Sequence, residues 1–348
     1  MRPQWRIRII VPVASAVLLI VAGGTLAAVH MTSSPEWHRP YWKTLYARPG
    51  AIPFPPGDPY TPTEAALGRR LFFDPELSSS GTLACAGCHE PSLGWSDGRA
   101  RAIGDSGATL ALRTPTLIDV AWVPVLGWDG KFQNLESVAF APITAAENMN
   151  LTEAELVSRL SASAEYRAAF ARAFPDGAIS RRHVEQALAT FERTIVAGEA
   201  PFDRWIGGDA SAISTAAKRG FDLFNGRGRC ASCHSGWAFT DGSFHDVGTA
   251  TGTDIGRGLL FPNSVKLRYA FKTPSLRDVA RRSPYMHDGS IPTLDAVIAL
   301  YNRGGIARPS RAEAIGALGL TASDEADLVA FLETLTADRP SPLPRAER

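Results

Sequence analysis

The pentapeptides Cys85-Ala86-Gly87-Cys88-His89 and Cys230-Ala231-Ser232-Cys233-His234 use all four cysteines of the chain. Two thiols three positions apart, followed at once by an imidazole, suit covalent attachment of c-type haem. The thiols add across the haem vinyl groups and the histidine becomes an axial iron ligand. Zinc and disulfides are the competing readings. A structural zinc needs four ligands grouped together. The other histidines, His30, His38, His183, His245 and His287, form no second cysteine-like pair. The expectation is therefore two covalent haem c groups, attached at Cys85 and Cys88 and at Cys230 and Cys233. His89 and His234 are then the proximal iron ligands.

Helices must carry these motifs. Polar residues that precede runs of helical apolar spacing mark the starts. Thr63 precedes EAALGRRLFF, Thr152 precedes EAELVSRLSASAEYRAAFARAF, and Ser180 precedes RRHVEQALATFERTIVAG. Ser214, Thr293 and Ser323 open three more. No alternating run is long enough to require a sizeable sheet.

An internal repeat organises the chain. Arg113-TPTLIDVA returns 159 residues later as Lys272-TPSLRDVA, and the match continues to Asp129-Gly130 against Asp288-Gly289. Each copy lies downstream of one haem motif. After each haem motif comes an aromatic residue with Asp-Gly, in Gly94-WSDG and Ala238-FTDG. The fold class is mainly α, with two c-type cytochrome domains related by duplication and the haems facing an inter-domain seam. The boundaries are 60–200 and 201–338, with an extension at 29–59 and a tail at 339–348.

The 348 residues carry 36 basic and 35 acidic groups, net charge +1. That leaves no basic excess to neutralise a phosphate backbone, so nucleic acid is excluded as a partner. Arg2, Arg6 and Arg8 precede a nearly uninterrupted apolar run from Ile9 to Ala28. This is the pattern of a secretory signal, cleaved near Ala27 or Ala28, or of an uncleaved membrane anchor. Residues 1–28 therefore direct the protein to the periplasm.

From Gly68 to Leu335 the chain resembles the bacterial dihaem cytochrome c peroxidase family, with its MauG and MbnH branches. The resemblance rests on GRRLFFDPELSSSGTLACAGCH, GWDGK, APFDRWI, CASCHSG and KTPSLRDVARRSPYMHDGS. It implies hydrogen peroxide as oxidant and one calcium ion between the haems. Arg113 stands where it implies an Asn ligand to that ion. It also implies an inter-haem tryptophan, which is Trp128, aligned in the repeat with His287. A distal glutamate that moves a proton between the peroxide oxygens corresponds to Glu147, one residue short of the family spacing, where Asn148 falls.

Peroxidases of the family can place a distal His on haem one. Here no His lies between His89 and His183, and no Met between His89 and Met149, so haem one is expected to be open. On haem two the family's Met falls at Ser283, a poor ligand. Tyr285 is the expected distal ligand and Met286 its rival. MauG-like enzymes pair His with Tyr, and a phenolate favours oxidised iron. The implied function is a periplasmic enzyme that shares the oxidising equivalents of peroxide between two haems. It would oxidise an aromatic side chain, a tryptophan, on a partner protein encoded nearby. The alternative is a cytochrome c peroxidase drawing electrons from a small redox protein. A plain dihaem electron carrier is a third reading, and the open haem-one site argues against it.

Overall fold

The structure is a computed structural model and describes residues 39–339. The signal or anchor read from residues 1–28 lies outside these residues. No helix among the described residues is long and apolar enough to cross a membrane.

Eleven α-helices run through the described chain: α1 (Arg39–Leu45), α2 (Pro62–Phe72), α3 (Cys85–Cys88), α4 (Leu135–Thr144), α5 (Glu153–Ala162), α6 (Ala164–Ala173), α7 (Arg181–Arg193), α8 (Pro201–Gly207), α9 (Thr215–Asn225), α10 (Leu294–Arg303) and α11 (Ala322–Glu333). The sheet is minimal: β1 (Phe244–His245) pairs antiparallel with β2 (Phe271–Lys272).

Sequence caps located most helix starts, with three corrections. α2 is capped by Thr61, not Thr63, because Pro62 takes the first helical position, where its missing N–H costs nothing. α11 starts two residues earlier than expected, in a capping box between Thr321 and Asp324. The long helix expected after Thr152 is two helices. Ser163 is extended, ends α5, and accepts the Tyr166 N–H at the start of α6. Leu156, Leu160, Tyr166 and Phe170 all face the core as their spacing requires.

Two large apolar cores form, beside a small cluster of Val120, Leu126, Leu135 and Ala189. The first gathers residues from Leu67 to Ala197, and the second Tyr46 with residues from Phe202 to Leu335. Trp42 and Tyr46, in the middle of the segment read as an extension, pack into the second core, where Tyr46 stacks on Phe239 with ring centroids 4.9 Å apart.

The same crossing builds both cores. In the first, α2 meets α7 at Gly68, and in the second α9 meets α11 at Gly220. A β-carbon at Gly68 would lie 1.7 Å from the Ala187 carbonyl oxygen, and one at Gly220 would lie 1.9 Å from that of Asp327. Only glycine allows helices this close.

The repeat continues in the hydrogen bonds. Asp119 N and Asp278 N donate to Ile195 O and Leu335 O. Their carboxylates accept from Ala197 N and Ala337 N. Leu126 faces Phe132 across an isolated bridge, and 159 residues on, Tyr285 faces Ile291.

Candidate active site

Both haem motifs sit on short helical turns just before tight loops. In the first, α3 spans the two cysteines and ends at His89. In the second, a 3₁₀ turn covers Cys230–Ser232. None of the four cysteines is in a disulfide. Burial raises the Cys85 and Cys88 thiols, and pushes Cys230 up to about 12.

The two histidines are prepared in the same way. His89 Nδ1 donates to Trp95 O over 3.1 Å, and His234 Nδ1 to Phe239 O over 2.8 Å. Trp95 and Phe239 both take positive φ, 59° and 53°, which turns their carbonyls toward the ring. Burial lowers the pKa of both imidazoles. A neutral imidazole with its Nδ1 proton fixed leaves the Nε2 lone pair for a metal. The residues fit an iron porphyrin at each motif.

The second motif adjoins a cavity. A largely apolar cavity of about 440 Å³ is lined by Cys230, Cys233, His234, Trp128, Tyr285 and Met286. Ser283 is exposed, and its Oγ donates to Pro292 O over 2.6 Å. Tyr285 is half-buried in the cavity wall and its hydroxyl donates to Val279 O over 3.2 Å. Burial raises its pKa, and the charges of Arg282 and Arg113 oppose that rise. Met286 lines the same cavity with φ at +71°, in the repeat position where Gly127 has φ +82°.

Trp128 is pinned from both modules. Its Nε1 donates to Arg113 O over 2.9 Å, and its own carbonyl accepts from Lys272 N over 2.9 Å. Arg257 Nη1 donates to the carbonyls of Asp129 and Gly130 at 2.8 and 3.2 Å. A β-carbon on Gly130 would lie 2.2 Å from that guanidinium. Lys272 Nζ reaches Val125 O at 3.1 Å, and burial pushes its pKa down to about 8.

Glu147 lies on an exposed turn at 146–149. That turn is bound to the loops on both sides of the first haem motif, through Asn148 O with Asp105 N and Met149 O with Ser79 N. Met149 enters the core on which Leu83, Cys85 and Ala86 pack. Glu147 thus stays with the first haem motif, while Trp128 and Tyr285 share the wall of the second cavity. His183 stacks on Phe174 at 4.0 Å, as an ordinary packed histidine does.

Sequence reading missed two features. Trp122 and Trp237, one from each module, meet edge to face at 5.1 Å in the cavity lining. Nothing in the repeat pairs them, so no periodicity could have found them. Cys233, Asp241 and His245 bring possible ligand atoms within 4.8 Å of one another. Hydrogen bonding to Cys233 and Asp241 raises His245 to about 9. Here the signal was present, because Asp241 belongs to the Phe-Thr-Asp-Gly motif that follows the haem cysteines.

Comparison with known proteins agrees with this geometry. The family model for di-haem cytochrome c peroxidase matches residues 62–211. The methylamine utilization protein MauG of Methylorubrum extorquens is 48% identical over 94% of this chain and 96% of its own. The MauG of Methylophilus methylotrophus is 48% identical over 83% of this chain and 87% of its own. The cytochrome c peroxidase Ccp of Escherichia coli is 32% identical over 81% of this chain and 60% of its own. Among solved structures, a MauG-like protein associated with microbial copper homeostasis superposes with a TM-score of 0.78 at 31% identity, covering 84% of this chain and 95% of that one. With two prepared histidines, two cysteine pairs and relatives that match nearly end to end, the chain belongs to the dihaem cytochrome c peroxidase family, in its MauG-like branch, and is a haem-dependent oxidoreductase.

Proposed function

We propose that this protein uses hydrogen peroxide to oxidise an aromatic side chain, a tryptophan, on a partner protein. The observation that carries this reading is the wall of the second cavity. The position that holds Met in the peroxidases is Ser283, turned out to solvent, while Tyr285 shares the cavity with His234. A phenolate donates charge and favours the oxidised states of iron, where a thioether favours the ferrous state. The identity to MauG over nearly the whole chain supports the same reading.

The bound haems supply the redox chemistry with peroxide, which takes up two electrons and two protons to give two waters. The aromatic side chain provides both electrons. Cys85, Cys88 and His89 would hold one haem covalently, and Cys230, Cys233 and His234 the other. Trp128 offers an oxidisable ring between the modules, fixed by Arg113 and Lys272. Glu147 would carry the proton at the first haem motif. The basic start and apolar run of residues 1–28 would export the chain to the periplasm, where c-type haem is attached.

A second reading, a peroxidase fed by a small redox protein, is favoured by Met286, which lines the same cavity. One experiment separates the two. Ferric protein is mixed with stoichiometric peroxide without prior reduction. A long-lived oxidised state that modifies a tryptophan on the protein encoded beside it supports the first reading. Peroxide turnover only after reduction by a small electron carrier overturns it.

A further inference from the structure

The family resemblance implies a calcium ion between the two haems. Calcium takes about six to eight oxygen ligands. The protein oxygens placed at the seam are already engaged. Arg282 O accepts a hydrogen bond from Arg113 Nη2 over 2.7 Å, and His287 O accepts one from the Arg113 backbone N–H over 2.9 Å. Arg113 O is bound by the Trp128 indole and Trp128 O by Lys272 N. The Arg113 guanidinium is itself in the seam, with the residue only 7% exposed, and its Nη2 also reaches Ser96 Oγ over 3.1 Å. Buried Arg282 and the Lys272 amine line the same cavity. Of the nearby acids, Asp97 accepts from Thr114 Oγ1 over 2.9 Å. Asp241 is engaged by His245. A divalent ion here would face fixed like charges where water screens them poorly.

The residues do not fit the ion. We propose that the Arg113 side chain takes the place of the calcium ion, joining the two modules through Arg282 O and Ser96 and making the dihaem protein independent of calcium. Arg113 stands at the position where the family resemblance implies an Asn ligand, so one substitution both removes an oxygen donor and installs a tethered cation. A tethered cation cannot be withdrawn by a chelator. The inference rests on family membership and on the seam, and holds whichever substrate the enzyme oxidises.

The test uses the dihaem holoprotein, dialysed against millimolar calcium and then desalted. Calcium per chain is measured by elemental mass spectrometry. The absorption spectrum and both haem midpoint potentials are recorded with EGTA and with added calcium. The expected result is no stoichiometric calcium, and a spectrum and potentials that neither reagent moves. One calcium held per chain, or an EGTA-induced change that calcium reverses, would overturn the proposal. Arg113→Asn assigns the role to the residue, because the variant is expected to acquire potentials that respond to calcium. A variant as indifferent to calcium as the parent would overturn that assignment. If the variant does not accumulate, the calcium content of the unmodified protein still decides the proposal.

Discussion

The indole Nε1 of Trp128 donates to the backbone carbonyl of Arg113 over 2.9 Å, and the backbone N–H of Arg113 donates to His287 O over 2.9 Å. Trp128 and His287 occupy equivalent places in the two copies of the repeat. One peptide strand of the first module thus joins them across the seam. His287 in turn stacks on Phe271 at 3.7 Å and binds Asp254 over 2.7 Å, so its imidazole is fully engaged in structure. The duplication has given one copy an oxidisable ring and the other a bracing one.

Trp128→Phe should keep the fold and both haems. It removes the N–H donor and leaves Arg113 O without its indole partner, a stability cost of about 1 kcal/mol. Phenylalanine is much harder to oxidise than tryptophan, so sharing of oxidising equivalents between the modules should be lost. Absorption spectroscopy after stoichiometric peroxide checks this. An unchanged shared state and unchanged turnover would reduce Trp128 to a packing residue.

Much of this was legible in the sequence because the duplicated blocks are contiguous. The two C-x-x-C-H pentapeptides and the Trp128 loop are each contained in a contiguous motif. The helix starts were legible wherever a Ser or Thr is the true cap, as at Ser180, Ser214 and Thr293. What stayed hidden depends on contacts distant in sequence. Arg113 meets Arg282 across 169 positions, and Trp122 meets Trp237 across the same seam. The fixing of each histidine by the carbonyl of an aromatic residue at positive φ also left no trace, because only backbone geometry turns that carbonyl inward.

Cys85→Ser with Cys88→Ser should remove one covalent haem, and Cys230→Ser with Cys233→Ser the other. Each change removes the thiols that would form the thioether bonds while leaving the histidine in place. Denaturing gels stained for haem should show half the signal in each case. Haem released from the unmodified protein by acid–acetone would contradict covalent attachment.

Gly68→Ala and Gly220→Ala should each destabilise their own module. The added methyl group would press on the carbonyl of Ala187 or Asp327 and on the β-carbon of Phe191 or Phe331, at 2.9 and 2.8 Å. Overpacking of this kind costs about 3 kcal/mol. Thermal unfolding followed by circular dichroism checks this, and similar losses in the two variants would reflect the shared crossing.

Glu192 is buried, and loss of solvation raises its carboxyl to about 8. The folded state therefore keeps a proton that the unfolded chain releases near pH 4.5. Its contribution to stability is full below about pH 4.5 and is lost as pH rises through about 8. Glu192→Gln keeps the shape and cannot ionise, so it should flatten the decline of denaturant midpoint across that window. An equally steep decline in the variant would place the titration elsewhere.

On the proposed reading, Tyr285 sets the character of the second haem site, and its removal tests that role. Its backbone is held by the bridge to Ile291, where the Tyr285 N–H donates to Ile291 O over 2.6 Å, so the local chain path does not depend on the hydroxyl. Tyr285→Phe removes one oxygen from the cavity wall and keeps the packing. The bond from that oxygen to Val279 O is long, at 3.2 Å, so its loss should cost well under the ~1 kcal/mol of an ordinary hydrogen bond. The variant should still consume peroxide, its second haem should become easier to reduce, and oxidation of the protein substrate should fall by at least about tenfold, the rate equivalent of 1.4 kcal/mol. Met286→Leu should change none of these, because a leucine can keep the volume of a thioether that only packs. A titration of the haem-two midpoint potential in both variants checks the assignment. If Tyr285→Phe leaves the spectrum and potential of that haem as they were and Met286→Leu alters them, the axial ligand is Met286 and the peroxidase reading gains.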